Sequence, residues 1–342
     1  MNNKQSFSLE NKPKLSICLP SYNGEKTIGK ALKSILGQSY QNFEIIVNDD
    51  CSVDNTEEVI ESFKDQRIKF FRNKVNVGYG DNLNNFKKHL SGEIMVMMAQ
   101  DDLLLKDALS KIVNGFSLGE DIGIVTRPYY QFESNPKIPV RYWPPPSTKK
   151  DTIISLSDKR ELIEAAIRST YLVSCLAFKV KYLDRPFSSH VFTSQAYPFF
   201  SIFKKHKIVF LKDYIVAVGI YESQCRHKPA IYEPSPVQTW IEVFAKTLPE
   251  PKYEKVRKIC QDYVAQNYVG LVQIKNYGRF EDLIEEIINH LKYRKASLID
   301  FRFWFYTLMC LFLPKFILIR LTAFYKSKIL SKMIAQRIKI KI

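Results

Sequence analysis

Residues 93–102 read EIMVMMAQDD. Glu93–Ala99 is a short, almost wholly apolar run, and two adjacent carboxylates follow it at once. A continuous run of this length bounded by polar residues predicts a strand buried on both faces. Two like charges at the end of such a strand repel unless a cation or hydrogen-bond donors compensate them. Working outward, the same rhythm recurs. Lys14–Pro20 (KLSICLP), Phe43–Val47 (FEIIV), Ile68–Phe71 and Ile122–Thr126 read as strands. Between them, Glu25–Leu36, Asp54–Phe63, Asn82–Leu90 and Lys106–Phe116 carry apolar residues at helical spacing, with Asp54 placed to cap its helix. Strand–helix alternation predicts an α/β fold, a mostly parallel sheet with helices on both faces. Ligands then bind beyond the carboxyl ends of the strands.

The residues that follow the strands are therefore the ones to inspect. They are Pro20-Ser21-Tyr22-Asn23-Gly24, Asn48 to Thr56 (NDDCSVDNT), and Gln100-Asp101-Asp102. The first cluster is expected to expose backbone donors and one aromatic ring. Any one carboxylate pair is most often an ordinary loop or cap feature. Asp101-Asp102 suits a hard divalent ion such as Mg²⁺ or Mn²⁺, which takes oxygen ligands and keeps positions open for phosphate oxygens.

Taken in order, Pro20-Ser21-Tyr22-Asn23, Asp49-Asp50-Cys51-Ser52-x-Asp54-x-Thr56, Asn76-x-Gly78 and Gln100-Asp101-Asp102 resemble the motifs of the family 2 glycosyltransferases of the GT-A (Rossmann-like) fold. The agreement covers roughly residues 14–130. The resemblance implies roles. Pro20 and Tyr22 would line the base of a nucleotide donor, with Asn23, Asp49, Asn76 and Gly78 around it. Asp50 would accept a hydrogen bond from the base. Asp101 would touch the ribose or the metal, and Asp102 would ligate the divalent ion bridging the donor diphosphate. The implied chemistry is inverting transfer of a sugar from a nucleotide-diphosphate donor, a UDP-sugar first, to a lipid-linked saccharide in bacterial surface-polysaccharide, O-antigen or capsule synthesis. The metal would stabilise the leaving diphosphate while a base takes the acceptor proton.

The second half departs from the family pattern. Where many members carry an acid opening an aromatic helix, Thr193-Ser194-Gln195-Ala196-Tyr197-Pro198 has none. The Thr-Ser-x-x-Tyr-Pro form resembles the abequosyltransferase-like subset. Nor does Val218–Gln224 hold the Arg and His of the usual Tyr-Arg-x-His-x-x-Ser. Asp184, His190 and Glu222 are left as base candidates, each with solvated surface as its bland alternative. Arg226, His227 and Arg72 could meet phosphate, and Trp143 or Tyr197 could stack on a sugar. Further on, Arg141–Lys150 (RYWPPPSTKK) reads as a Pro-rich break, Ser157–Arg168 as a helix and Tyr171–Val180 as a strand. Ser189–Lys205 reads as helix, Ile208–Ile220 contains a strand, and Tyr232–Leu291 reads as two or three helices.

The chain has 342 residues, 46% apolar and 25% charged, a globular composition. Its net charge of +16 is unevenly placed: residues 301–342 hold nine Lys and Arg and no acid, so the first 300 carry +7. A nucleic-acid coat spread over the body is thus not expected. No G-x-G-x-x-G follows the first strand, which argues against a dinucleotide-dependent oxidoreductase. Phe303–Leu313 (FWFYTLMCLFL) is too short to span a bilayer, and Pro314-Lys315 interrupts it. The segment suits helices lying in an anionic membrane face, or packed on the body. The six cysteines form no C-x-x-C pair and read as reduced, and the polar run Met1–Lys14 gives no expectation of a secretory leader. The expected location is the cytoplasmic face of the inner membrane, as a peripheral protein. The expected organisation is an extension (1–13), a catalytic domain (14–228, divided at 130 into donor and acceptor halves), a helical region (229–300) and a basic amphipathic tail (301–342). A non-catalytic scaffold that binds nucleotide or lipid is the competing reading.

Overall fold

The computed structural model describes residues 12–220, 229–325, 330 and 334. The first strands β1 (Leu15–Ser21) and β2 (Phe43–Asp49) are buried along their whole length. They flank α1 (Ile28–Leu36) in sequence, and α2 (Thr56–Glu61) leads on to β3 (Ile68–Arg72). Then follow α3 (Tyr79–Asn85), β4 (Ile94–Met97), β5 (Leu103–Leu104), α4 (Ala108–Phe116) and β6 (Ile122–Thr126). Alternate residues of each central strand enter opposite cores. Ile17, Leu19, Ile45, Val47 and Val96 meet α1 and α4 on one face. Cys18, Ile46, Met95 and Met97 meet α3 and later helices on the other.

Beyond β6 come β7 (Tyr129–Phe132), β8 (Pro139–Trp143), β9 (Thr152–Ile154), α5 (Arg160–Ser169), β10 (Ala177–Lys179), α6 (Ala196–Phe203), β11 (Lys207–Phe210) and β12 (Val216–Gly219). The main sheet has the order β3-β2-β1-β4-β10-β6-β11-β9. It is mixed, because β10 and β9 run against the other six strands. The order turns at β1, between β2 and β4, so the polar loops after β1 and β4 open a crevice together. A second sheet, β5-β12-β7-β8, starts directly after Asp101-Asp102.

Several sequence expectations are corrected. Arg141–Trp143 belongs to β8 of a hairpin, and only the residues after it form the Pro-rich loop. Of Tyr171–Val180 only Ala177–Lys179 is strand; the residues before it form a loop around Cys175, whose φ is 62°. Helix α6 is shorter than Ser189–Lys205. Four α-helices occupy the next region: α7 (Pro236–Thr247), α8 (Glu254–Val264), α9 (Gly270–Tyr277) and α10 (Phe280–Tyr293).

The tail forms α11 (Phe301–Phe312) and α12 (Lys315–Phe324), broken at Pro314. Among the described residues no helix is long and apolar enough to cross a membrane. One face of the pair packs on the body. Phe303 lies edge-on to Tyr268 at 5.4 Å, and Cys310 joins Leu271, Ile274 and Leu283. Further on, Ile334 is buried with Leu105 and with Tyr130, Phe132 and Ala217 of the second sheet. The opposite face leaves Phe301 79%, Phe312 76% and Phe316 61% exposed. The described cysteines are free, and Cys18, Cys175, Cys260 and Cys310 are buried.

Candidate active site

Side chains of the second loop grip the backbone of the first. Ser52 Oγ accepts from Asn23 N at 2.8 Å, Thr56 Oγ1 from Gly24 N at 2.7 Å and Asp54 Oδ2 from Glu25 N at 3.1 Å. In return Asn23 Oδ1 accepts from Val53 N at 3.0 Å. Asn23 sits at φ 46°, a left-handed geometry that asparagine tolerates. The spacing Ser52-x-Asp54-x-Thr56 thus places three acceptors along one turn. These amides are committed within the protein, so the expectation that Pro20–Gly24 exposes its donors is corrected. Asp54 is not the helix cap, which is Asn55; it accepts from Thr56 N at 3.2 Å instead.

Gln100 ties the third loop to the first. Its Oε1 accepts from Ser21 Oγ at 2.9 Å and Tyr22 N at 3.1 Å, and its Nε2 donates to Tyr22 O at 3.0 Å. A Cβ on Gly24 would stand 2.3 Å from Gln100 Oε1, so a larger residue there would push that side chain off its hydrogen bonds to Ser21 and Tyr22. Asp49 is fully buried and accepts from the Ser52 amide at 2.8 Å and from its hydroxyl. Asp50 holds the loop after β3: its Oδ1 accepts from Asn73 Nδ2 at 2.9 Å and Val77 N at 2.8 Å, its Oδ2 from Gly78 N at 2.9 Å. Gly78 has φ 85°, and Asn76 Oδ1 also accepts from its amide, at 3.1 Å. Pro20 lies at the end of β1, while Tyr22 is partly exposed at this edge.

Asp101 and Asp102 differ in setting. Asp101 is partly exposed, while Asp102 is only 3% exposed. Asp102 Oδ1 accepts from Gly219 N at 2.8 Å and Oδ2 from Ser174 Oγ. Burial and the neighbouring Asp101 push the Asp102 carboxyl up, against those two donors and the Arg127 guanidinium. A buried carboxylate beside a second carboxylate is a setting that a cation would stabilise. Among the described residues no group of three or more His, Cys, Asp and Glu side chains converges on a metal. The pair would therefore supply one or two carboxylate ligands, leaving the rest to phosphate and water, as a hard ion allows.

Arg127 and Ser174 were missed from the sequence. Arg127 is fully buried and donates to Ser169 O at 2.7 Å and Leu172 O at 2.9 Å, with its guanidinium 5.2 Å from the Tyr129 ring. It pins the loop that delivers Ser174. Arg127 directly follows β6, so inspecting every strand end would have found it. Ser174 carried no signal.

The base candidates separate. Asp184 is bound by Ser201 Oγ at 2.7 Å and Lys205 Nζ at 2.6 Å, at the far end of α6. His190 is half-buried, its Nδ1 has no hydrogen-bond partner, and burial lowers its pKa. Its neighbour Ser188 packs against the start of α3, where a Cβ on Gly80 would meet Ser188 O at 2.2 Å. His190 N donates to Ser188 Oγ at 3.2 Å, so its loop rests on the helix that follows the Asp50-held turn. Glu222, Arg226 and His227 lie outside the described residues. Gln195 is buried and donates to Thr170 O at 2.6 Å, its Oε1 without a partner. Arg72 is engaged by Glu57 and Ser52 O, and Trp143 stacks on Tyr129 at 4.6 Å.

A doubly covered α/β sheet with acidic loops at its turning point is a ligand-binding arrangement common to many α/β folds; its family and its structural likenesses make this one GT-A. The model of glycosyl transferase family 2 matches residues 16–186, half of the chain, and the chain belongs to that family. It is 40% identical over 104 residues to a GalNAc(5)-diNAcBac-PP-undecaprenol beta-1,3-glucosyltransferase of Campylobacter jejuni, covering 30% of this chain and 34% of that protein. It is 38% identical over 95 residues to the UDP-Glc:alpha-D-GlcNAc-diphosphoundecaprenol beta-1,3-glucosyltransferase WfgD of Escherichia coli, covering 28% and 38%. The match thus spans about a third of the length of these relatives. Among solved structures, S. aureus TarS in complex with UDP superposes with a TM-score of 0.61 at 17% identity, over 95% of this chain and 92% of that one. The mannosyltransferase PcManGT of Pyrobaculum calidifontis, in complex with GDP-Man and Mn2+, superposes with 0.56 at 16%, over 93% and 89%.

Proposed function

We propose that this protein is an inverting, metal-dependent glycosyltransferase that moves a sugar from a UDP-type donor to a lipid-linked saccharide. The observation that carries the reading is the interlocking of three strand-end loops, joined at Gln100 directly before Asp101 and the buried Asp102. In this reading Pro20, Tyr22, Asn23, Asp50 and the Asn76–Gly78 turn form the nucleotide end, with Asp49 holding the loop beneath it. Asp101 and Asp102 face the diphosphate and would hold Mg²⁺ or Mn²⁺, which when bound would offset charge on the leaving diphosphate. Arg127 and Ser174 keep Asp102 in place. His190, held neutral by burial, is the favoured base among the described candidates. The two relatives named for undecaprenol-diphosphate acceptors, and TarS with UDP, support the substrate classes. The exposed apolar face of α11 and α12 supports a peripheral position on a membrane surface, which we place at its cytoplasmic face.

Thermal shift with UDP and Mn²⁺, followed by hydrolysis of UDP-sugars, tests the donor half. Stabilisation and turnover that vanish together in Asp102→Ala support the reading; absence of both sinks it. The buried Gln195, standing where an acid is usual, favours a second reading, a non-catalytic nucleotide-binding scaffold. Tight UDP binding without any turnover would select it.

A further inference from the structure

The charge expected of a membrane-facing surface is not confined to the tail. A groove of about 840 Å³ lies between α8 and the end of α10. Seven Lys and Arg line it against Glu254 and Asp262, leaving +5. Arg160 and Arg294 share Asp262, and Arg257 donates to Leu248 O and Glu250 O. Lys255, Lys258, Lys292 and Lys295 are exposed and have no carboxylate partner among the described residues. Lys292 alone has an aromatic contact, 5.1 Å from the Tyr293 ring. Helix ends do not account for the cluster. Lys292 suits the last turn of α10, but Lys255 stands in the first turn of α8, where the helix dipole disfavours a cation. Four uncompensated lysines facing one groove cost self-repulsion that an external anion would relieve.

Along the chain the groove leads directly into an apolar edge. Ala296 lines it, and three residues on Ile299 is 89% exposed, beside Leu298 at 55%. Trp304 Nε1 donates to Leu298 O at 2.8 Å, fixing this apolar corner to α11 and its exposed Phe301 and Phe305. Cations that stay in water beside an apolar edge match a bilayer surface, with phosphates above acyl chains.

We propose that the groove between α8 and α10 docks onto the phosphates of anionic phospholipid, and with the apolar edge fixes how the protein sits on the membrane. This rests on the membrane reading above. The partner is the lipid surface itself, not a soluble phosphate ester.

The test compares flotation with vesicles of phosphatidylcholine and of phosphatidylcholine mixed with phosphatidylglycerol. The full chain is compared with a variant carrying Lys255→Gln, Lys258→Gln, Lys292→Gln and Lys295→Gln. At about a factor of five per lysine, discounted for salt, binding to the anionic vesicles should fall by roughly a hundredfold. UDP binding, whose proposed residues share none with the groove, reports that the variant is folded. Loss of the anionic preference with UDP binding intact supports the proposal. Unchanged binding of the variant overturns it, as does equal binding of the full chain to both vesicle types. An equal loss in a control with Lys30→Gln and Lys33→Gln on α1 also overturns it, because charge alone would then explain the effect. If the full chain binds neither vesicle, this inference and the membrane reading fail together, while UDP binding and turnover still decide the donor reading.

Discussion

Helix α11 makes opposite predictions for its two faces. Phe303 is completely buried and meets Tyr268 at 5.4 Å and His290 at 6.4 Å. Truncating a buried phenylalanine to alanine costs about 3–5 kcal/mol, transfer and cavity together. A domain's whole net stability is about 5–15 kcal/mol, so Phe303→Ala should bring unfolding to clearly lower denaturant. Phe312, nine residues on, is 76% exposed. Its replacement by serine should change stability by no more than about 0.5 kcal/mol. On a membrane the ranking reverses. Three-quarters of a ring of roughly 200 Å² leaves about 150 Å² to bury, an upper bound of about 4 kcal/mol at about 25 cal/mol per Å². Even shallow insertion should make Phe312→Ser lose vesicle binding by roughly tenfold or more. Urea unfolding and vesicle flotation on both variants measure the two effects. If Phe303→Ala unfolds with the full chain, α11 is not docked on the body. If Phe312→Ser destabilises as much as Phe303→Ala, or floats unchanged, the outer face has been misread. The same packing means that deleting residues 301–342 would remove core residues, so solubility of that truncation says nothing about membranes.

Three further outcomes are expected. Ser174→Ala removes a donor from a buried carboxylate, a loss of about 1.5–3 kcal/mol, and should weaken Mn²⁺-dependent UDP binding while leaving the metal-free fold in place; unchanged Mn²⁺ titrations would refute its positioning role. Gly80→Ala drives a methyl into Ser188 O and should displace the loop carrying His190, lowering turnover more than UDP affinity; equal effects on both would place His190 outside the reacting centre. Glu286, buried with Ser235 Oγ donating to it, has its carboxyl pushed from 4.5 to about 7 by burial. The fold therefore prefers the neutral acid: its contribution is fully present below about pH 4.5 and lost as pH rises to about 7. Glu286→Gln does not titrate, so it should gain about 3 kcal/mol on the parent between pH 5 and pH 8, at 1.36 kcal/mol per unit; parallel pH profiles in urea unfolding would refute this.

What was legible in the sequence follows from where burial comes from. Strands β1, β2, β4 and β6 are covered on both faces, so burial writes a continuous apolar run that local reading detects. The hairpin β7–β8 escaped because its strands hold Gln131, Arg141 and Pro139. Proline is tolerated there because β8 is an edge strand, a fact only the sheet supplies. Strand β10 has three residues and owes its state to pairing with β4 and β6. Its preceding loop carries Ser174, so that contact to Asp102 spans 72 positions and leaves no local trace.

The acidic motifs were visible as a pattern, but their division of labour was not. Spacing puts Ser52, Asp54 and Thr56 on one turn; only the folded loop assigns them to the amides of residues 23–25, which takes those donors away from any ligand. The part of the motif proposed to meet a ligand is then narrower than the motif itself: the ring of Tyr22, the Asp50-held turn, and Asp101 beside Asp102. Charge behaves the same way. Summed along the chain, the cations concentrate after residue 301, and the body looks nearly neutral. Lys255 and Lys292 are 37 positions apart in sequence, yet they line one groove. Dispersed acids on the remaining surface cancel them in the sum but not in space, since screening limits an exposed charge to neighbours within about 8–10 Å. A net charge therefore bounds how much cation a protein carries, while its partner responds to the local excess, and here that excess lies beside the exposed aromatic edge rather than in the tail alone.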